Sequence, residues 1–121
     1  MVETLLQTKS DQTYKKETQS YMFRIQQILD GNTITVTPNW NWNGRTGNAV
    51  LINGYGAHPS LAADMRGFVG NVLRQRLISL LPVGTTVQLS NAISIDGQNR
   101  IVCDVIFNGV SVANYFPEYK L

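Results

Sequence analysis

Hydrophobic side chains in this chain recur at every second residue in the first strand-like runs and at three- and four-residue steps through the middle, and further strand-like runs follow toward the end. That order sets the coarse architecture. It demands strands, one helix, and strands again. Tyr21, Phe23 and Ile25 alternate with Met22, Arg24 and Gln26 as in a half-buried strand, which runs toward Ile28-Leu29 and meets the turn formers Asp30-Gly31-Asn32. Thr33-Ile34-Thr35-Val36-Thr37 alternates again and stops at Pro38, so these two runs predict a hairpin. Asn39 to Gly47, with Trp40, Trp42 and Arg45 among turn formers, reads as a loop, followed by a third strand over Asn48 to Asn53. The glycine-rich Gly54 to Pro59 stretch reads as irregular.

Ser60 is placed to cap a helix. Two apolar series follow it at helical steps: Leu61, Met65, Phe68 and Val72, then Val69, Leu73, Leu77 and Leu80. Together they predict a broad buried face that ends near Leu81, because Pro82 and Gly84 cannot continue a helix. Gly67 and Gly70 each weaken that helix by about 1 kcal/mol relative to alanine, which points to another backbone passing close by. Strands are expected at Thr86 to Ser90, with Ala92 to Ile95 as a further segment, and at Arg100 to Phe107 beyond the turn Asp96-Gly97-Gln98-Asn99. Asn108-Gly109 signals another hairpin, and Val110 to Phe116 reads as a short strand or helical turn closed by Pro117.

The chain has 121 residues, enough for one domain. Residues 1–20, rich in Lys, Gln, Thr, Glu and Ser, read as a mobile polar arm, leaving 21–121 as the domain. With 43% hydrophobic and 15% charged residues the chain is globular, and a net charge of +2 is too small to hold nucleic acid by charge alone. The distribution is less even than the total. No acidic residue falls between Met65 and Ile95, while Arg66, Arg74 and Arg76 do, so one helix face is positive. Cys103, the single cysteine, excludes an internal disulfide and reads as a small buried apolar side chain. No apolar segment has the length of a signal peptide or a membrane span, so the expected location is the cytoplasm and no membrane partner is expected.

Several short motifs sharpen the reading. Ile28-Leu29-Asp30-Gly31-Asn32-Thr33 resembles the I-x-D-G-D-T turn of staphylococcal-nuclease-like domains, and Gly84-Thr85-Thr86-Val87-Gln88-Leu89 is similar to their strand after the helix. Asp96-Gly97-Gln98-Asn99-Arg100 resembles the D-x-x-G-R stretch that carries a phosphate-binding arginine, and Asn108 to Ala113 resembles the step that follows. The resemblance covers about Phe23 to Phe116. It implies a mainly β fold: a five-stranded OB barrel with one central helix between strands three and four. The C-terminal helices of that family have no counterpart before Leu121.

The same resemblance implies calcium-assisted phosphodiester hydrolysis, with a glutamate base and two arginines, and the sequence departs from it at each catalytic position. Asn32 stands where the turn's metal-binding aspartate is expected. The element carrying the second aspartate and the glutamate here reads Tyr55-Gly56-Ala57-His58-Pro59-Ser60, and the arginine of strand three falls at Val50 or Leu51. Only Arg100 matches. A hard cation needs anionic oxygens, and losing a base or a charge-stabilising group costs roughly 3 kcal/mol or more of transition-state stabilisation each. Hydrolysis by that mechanism, with its metal cofactor, is therefore not expected.

His58 is the one histidine; a loop histidine without a neighbouring carboxylate fits a turn better than a general base. Trp40, Trp42 and Arg45 admit two readings. Exposed, they form a stacking and cationic platform; folded back, the tryptophans cover an open barrel end. Arg100, Trp40, Trp42, Arg45 and Asn32 are the candidate ligand-binding residues, with Arg24, Arg66, Arg74 and Arg76 as further cations. The expected function is a non-catalytic binding module for single-stranded or duplex nucleic acid. A protein-interaction or homo-oligomer-forming module is the alternative, and a nuclease with an altered site comes third.

Overall fold

A computed structural model of the chain describes residues 22–121. The arm expected over 1–20 lies outside the described residues, as does Tyr21. Six strands, one helix and two short 3-10 turns follow in the order β1 (Met22–Ile28), β2 (Thr33–Trp42), β3 (Arg45–Ile52), α1 (Ala63–Leu80), β4 (Thr86–Ile95), β5 (Arg100–Phe107) and β6 (Val110–Ser111), then turns at Val112–Asn114 and Pro117–Tyr119.

The sheet runs β3-β2-β1-β4-β5-β6, and β3 also pairs with β5, in parallel, through Ala49 to Arg100 and Ile52 to Cys103. That pairing closes five strands into a barrel with the helix between its third and fourth strands, the OB-type arrangement expected from the sequence. Closure leaves no free edge among the five, and β6 covers only the end of β5 at Ile106 and Phe107.

The alternation read from the sequence sorts side chains as expected in β1, where Phe23 and Ile25 are buried while Met22 and Arg24 are exposed. Facing residues from the other strands, Ile34, Val36, Val50, Ile52, Val87, Leu89, Ile101, Cys103 and Val105, fill the barrel. Burial pushes the Cys103 thiol pKa well above its ordinary value, in keeping with an apolar packing role. A bulge between Ile25 and Gln27 resets β1 so that Ile28 still turns inward. In the same way β4 is one strand, not two, with its register shifted between Ser90 and Ser94, where Asn91 takes a positive φ.

Three expectations are corrected. Asn39 to Gly47 is not a loop: β2 runs on past Pro38 to Trp42, and β3 begins at Arg45. Asn43 and Gly44, at φ 50° and 77°, make the two-residue turn between them. Ser60 does not cap the helix, which starts at Ala63 with no side-chain cap; the Ser60 hydroxyl instead sits 2.7 Å from His58 Nδ1. Finally, the two apolar series of α1 part company. Leu73 and Leu77 are buried with Val69 and Leu80 packed beside them, whereas Met65 is 48% and Phe68 63% exposed.

Leu73, Leu77 and Leu81 close the barrel end at which the β1–β2 turn lies. That turn touches the helix: a Cβ on Gly31 would stand 2.9 Å from the carbonyl oxygen of Gly70, so the close backbone approach is real but requires the glycine at 31. A Cβ at Gly67 or Gly70 would meet nothing within 4 Å outside its own turn of helix. At the opposite end sits Trp40, fully buried. The C-terminal segment returns to the irregular stretch after β3 through Gly56 N–H to Tyr119 O and Leu121 N–H to Gly54 O, covering Tyr55 completely. Burial pushes the Tyr55 hydroxyl up to about 12. Among the described residues no helix is long and apolar enough to cross a membrane.

Candidate functional site

β2 and β3 continue as a two-stranded ribbon beyond the point where β3 joins β5. The β3–β5 pairing begins at Ala49, so Arg45 lies four residues, or about 13 Å, past the closed wall. Trp40 faces Gly47 across the ribbon, and Trp42 faces Arg45 beside the turn. Two residues apart, the tryptophans share a face but have different fates. Trp40 donates its indole N–H to Ala49 O at 2.9 Å and packs into the core, so close to Gly47 that a Cβ there would stand 2.8 Å from its ring. It is removed as a stacking surface: a ring with no exposed face cannot take a base. Trp42 is half-buried, one side against the core and the other open.

The β4–β5 turn docks on the root of this ribbon. Asn99, at φ 58°, accepts a hydrogen bond from Arg45 Nη2 at 2.9 Å and donates from its amide to Thr46 O at 3.2 Å; Thr46 in turn donates its hydroxyl to Trp40 O at 2.9 Å. Arg45 is thus exposed yet steered by a neutral partner, and its charge is not cancelled there.

Arg100 is held differently. Its Nε donates to Asp96 Oδ2 at 2.8 Å, Nη2 lies 2.7 Å from the same oxygen, and Nη1 donates to Thr33 Oγ1 at 2.9 Å. Asp96 Oδ1 accepts the backbone N–H groups of Gln98 and Arg100 at 2.9 and 3.0 Å. The hydrogen-bonded guanidinium of Arg100 holds the Asp96 carboxyl below its ordinary range, against the opposing effect of partial burial. Arg100 therefore braces the β4–β5 turn and the start of β2, with most of its charge answered inside the protein.

Asn32 lies on the other side of Thr33. Its side-chain amide nitrogen approaches Tyr55 O at 3.4 Å, and Asp30 Oδ1 accepts the Asn32 backbone N–H at 3.0 Å, an Asx turn. A calcium ion does not fit this donor set. The amide offers an N–H toward the carbonyl that would have to serve as ligand, and the Asp30 carboxylate has an oxygen turned onto its own backbone. Val50 points into the core, and Leu51 pairs with Thr33 and Val102, so neither supplies the second arginine of the family resemblance. Among the described residues no three His, Cys, Asp or Glu side chains cluster as a metal would need.

The structure thus joins Arg45, Asn99, Asp96, Arg100, Thr33 and Asn32 into one strip along the β2–β3 wall and its two flanking turns. Trp42 stands at one end of the strip, and Trp40 beneath it. Thr33 and Asn99 carry no sequence signal as site members, since their roles come from register and turn geometry. The Asn43-Gly44 dipeptide, by contrast, was a readable hairpin signal. Other cations are dispersed. Arg66 bonds Pro59 O and Leu61 O, and Arg76 pairs with Glu118 at 3.5 Å, its guanidinium over the Phe116 and Tyr119 rings. Arg24 is exposed in a cleft of about 550 Å³ formed with Met22, Thr37, Pro38 and Thr86. His58 is an exposed loop residue whose Nδ1 accepts the Ser60 N–H at 3.1 Å. Comparison of the chain with family models, curated proteins and solved structures finds no match in any of the three.

Proposed function

We propose that this chain is a non-catalytic OB-barrel binding module, of the staphylococcal-nuclease-like kind, that takes single-stranded nucleic acid along the β2–β3 ribbon. The observation that carries the reading is the ribbon tip, where a half-exposed Trp42 lies across from Arg45, which has no acidic partner among the described residues, on a two-stranded support. An indole face stacks on any base, contributing about 1 to 3 kcal/mol, and a guanidinium beside it answers the phosphate that follows. OB barrels use the wall of strands two and three and the turns on either side of it for such ligands. Arg24, in its own cleft, offers a second cation for a longer strand. A single strand is favoured over duplex because stacking needs an unpaired base.

The absence of hydrolysis in this reading rests on chemistry at Asn32, where an amide replaces the carboxylate, and on Arg100, whose charge is spent on Asp96 and Thr33. The test is a tryptophan-fluorescence titration with a short single-stranded oligonucleotide at two salt concentrations. Quenching is expected, weaker at high salt, with Trp42→Phe abolishing the signal change. Arg45→Ala should lower the salt slope by about 1 while leaving the fold intact. No quenching at low salt would overturn the proposal, and quenching that survives Trp42→Phe would misplace the site.

A further inference from the structure

Helix α1 carries two adjacent apolar stripes and the barrel uses one. The second carries Met65 and Phe68, both exposed with no covering element among the described residues, and then the half-buried Val72. Toward the C-terminal half the same face opens into a groove of about 530 Å³ lined by Val72, Gln75, Arg76, Ser79, Leu80 and Phe116. At 100° per residue, Met65, Phe68, Val72, Arg76 and Ser79 fall within one sector of the helix, so the protruding Phe68 and the groove look in the same direction.

From this arrangement we infer that α1 pairs antiparallel with α1 of a second copy of this chain, each Phe68 entering the other copy's groove. Phe68 and the groove centre near Arg76 are eight residues apart, about 12 Å along the axis, with Val72 midway. A two-fold axis crossing the helix at Val72 brings both rings into both grooves at once, the self-complementarity that a closed dimer requires. Electrostatics do not oppose it. The one charged group on the groove wall, Arg76, is already answered by Glu118 at 3.5 Å, so two copies meet as nearly neutral faces. Arg76 also rests over Phe116 at 5.4 Å, and an incoming Phe68 ring would extend that cation–aromatic stack. One pair of 18-residue helices falls at the small end of specific interfaces, below about 1,200 Å², so the dimer is weak and reversible.

Sedimentation equilibrium of the full chain across a wide concentration range tests this. The expected mass rises with concentration from the 13.5 kDa monomer toward twice that value. Phe68→Asp should raise the dissociation constant at least about tenfold without changing the thermal midpoint of the barrel, because the ring it replaces is exposed. Val72→Cys should give a disulfide-linked dimer on mild oxidation, since the axis sets those two residues face to face; buried Cys103 contributes no such link. A strict monomer at every concentration gives the groove to another occupant, residues 1–21 of the same chain or a different protein, and overturns the proposal. So does a dimer indifferent to Phe68→Asp, or a dimer in which Val72→Cys never links.

Discussion

The two ends of this barrel are closed by different chemistry. At the helix end, Leu73 and Leu77 of α1 and Leu81 just beyond it seal the opening by apolar contact. At the ribbon end one large side chain, Trp40, fills the opening, and each piece around it is tied by a directional bond: indole N–H to Ala49, Thr46 to the Trp40 carbonyl, Asn99 to Thr46, Arg45 to Asn99. Apolar contact tolerates small shifts, whereas a chain of hydrogen bonds fixes geometry. A seal of the first kind suits a surface meant only to exclude water. A seal of the second kind holds Arg45 and Trp42 in fixed relation to each other, which is what pre-organised recognition needs.

The sharpest way to break the comparison is to remove the single plug. Trp40→Ala deletes a fully buried ring and strands the Ala49 carbonyl, so we expect a loss of about 3 to 5 kcal/mol in chemical denaturation. If the ribbon were merely a loop draped over a finished barrel, the loss would be under about 1 kcal/mol, and the account of that end would be wrong.

At the helix end two glycines give opposite outcomes. Gly31→Ala forces a methyl to 2.9 Å from a backbone oxygen that cannot rotate away, and should cost about 1 to 3 kcal/mol. Gly67→Ala adds a methyl in open space and removes backbone entropy from the unfolded chain, so it should stabilise by about 0.5 to 1 kcal/mol. Thermal unfolding of the two variants side by side checks both signs. A destabilised Gly67→Ala would mean that something approaches that face of α1.

This contrast also marks how far the sequence could be read. Alternation in β1 is local, set by neighbours two residues apart, and it sorts Phe23 and Ile25 inward without knowledge of the fold. Helical periodicity located α1 but could not divide its two stripes. Both satisfy the same three- and four-residue steps, and only the position of the barrel decides that Leu73 is buried while Phe68 is not. Trp40 was ambiguous for a related reason: the register shifts between Thr35 and Trp40, so the face a tryptophan takes beyond Pro38 cannot be counted forward from Thr33. Arg100 was legible as a site residue through its motif, but its commitment to Thr33 spans 67 positions and leaves no local trace.

The smallest expected effect separates the turn that docks on the ribbon from the ribbon itself. Asp96→Asn keeps a side-chain oxygen for the Gln98 and Arg100 N–H groups but deletes the ion pair with Arg100, a partly exposed pair worth under about 1 kcal/mol at neutral pH. The pH dependence carries more information than the size. Because the Asp96 carboxyl titrates below its ordinary 3.8 in the folded chain, its contribution is complete above that value and fades as pH falls through the lowered folded one. The difference in stability between the native chain and Asp96→Asn should therefore be constant from neutrality down to about pH 4 and shrink below it. With its partner neutralised, Arg100 regains charge for a ligand, so Asp96→Asn should also bind an oligonucleotide more tightly and with a steeper salt dependence. Unchanged binding would mean that Arg100 faces the barrel's own turn and never the ligand, confining recognition to the ribbon tip and Arg24.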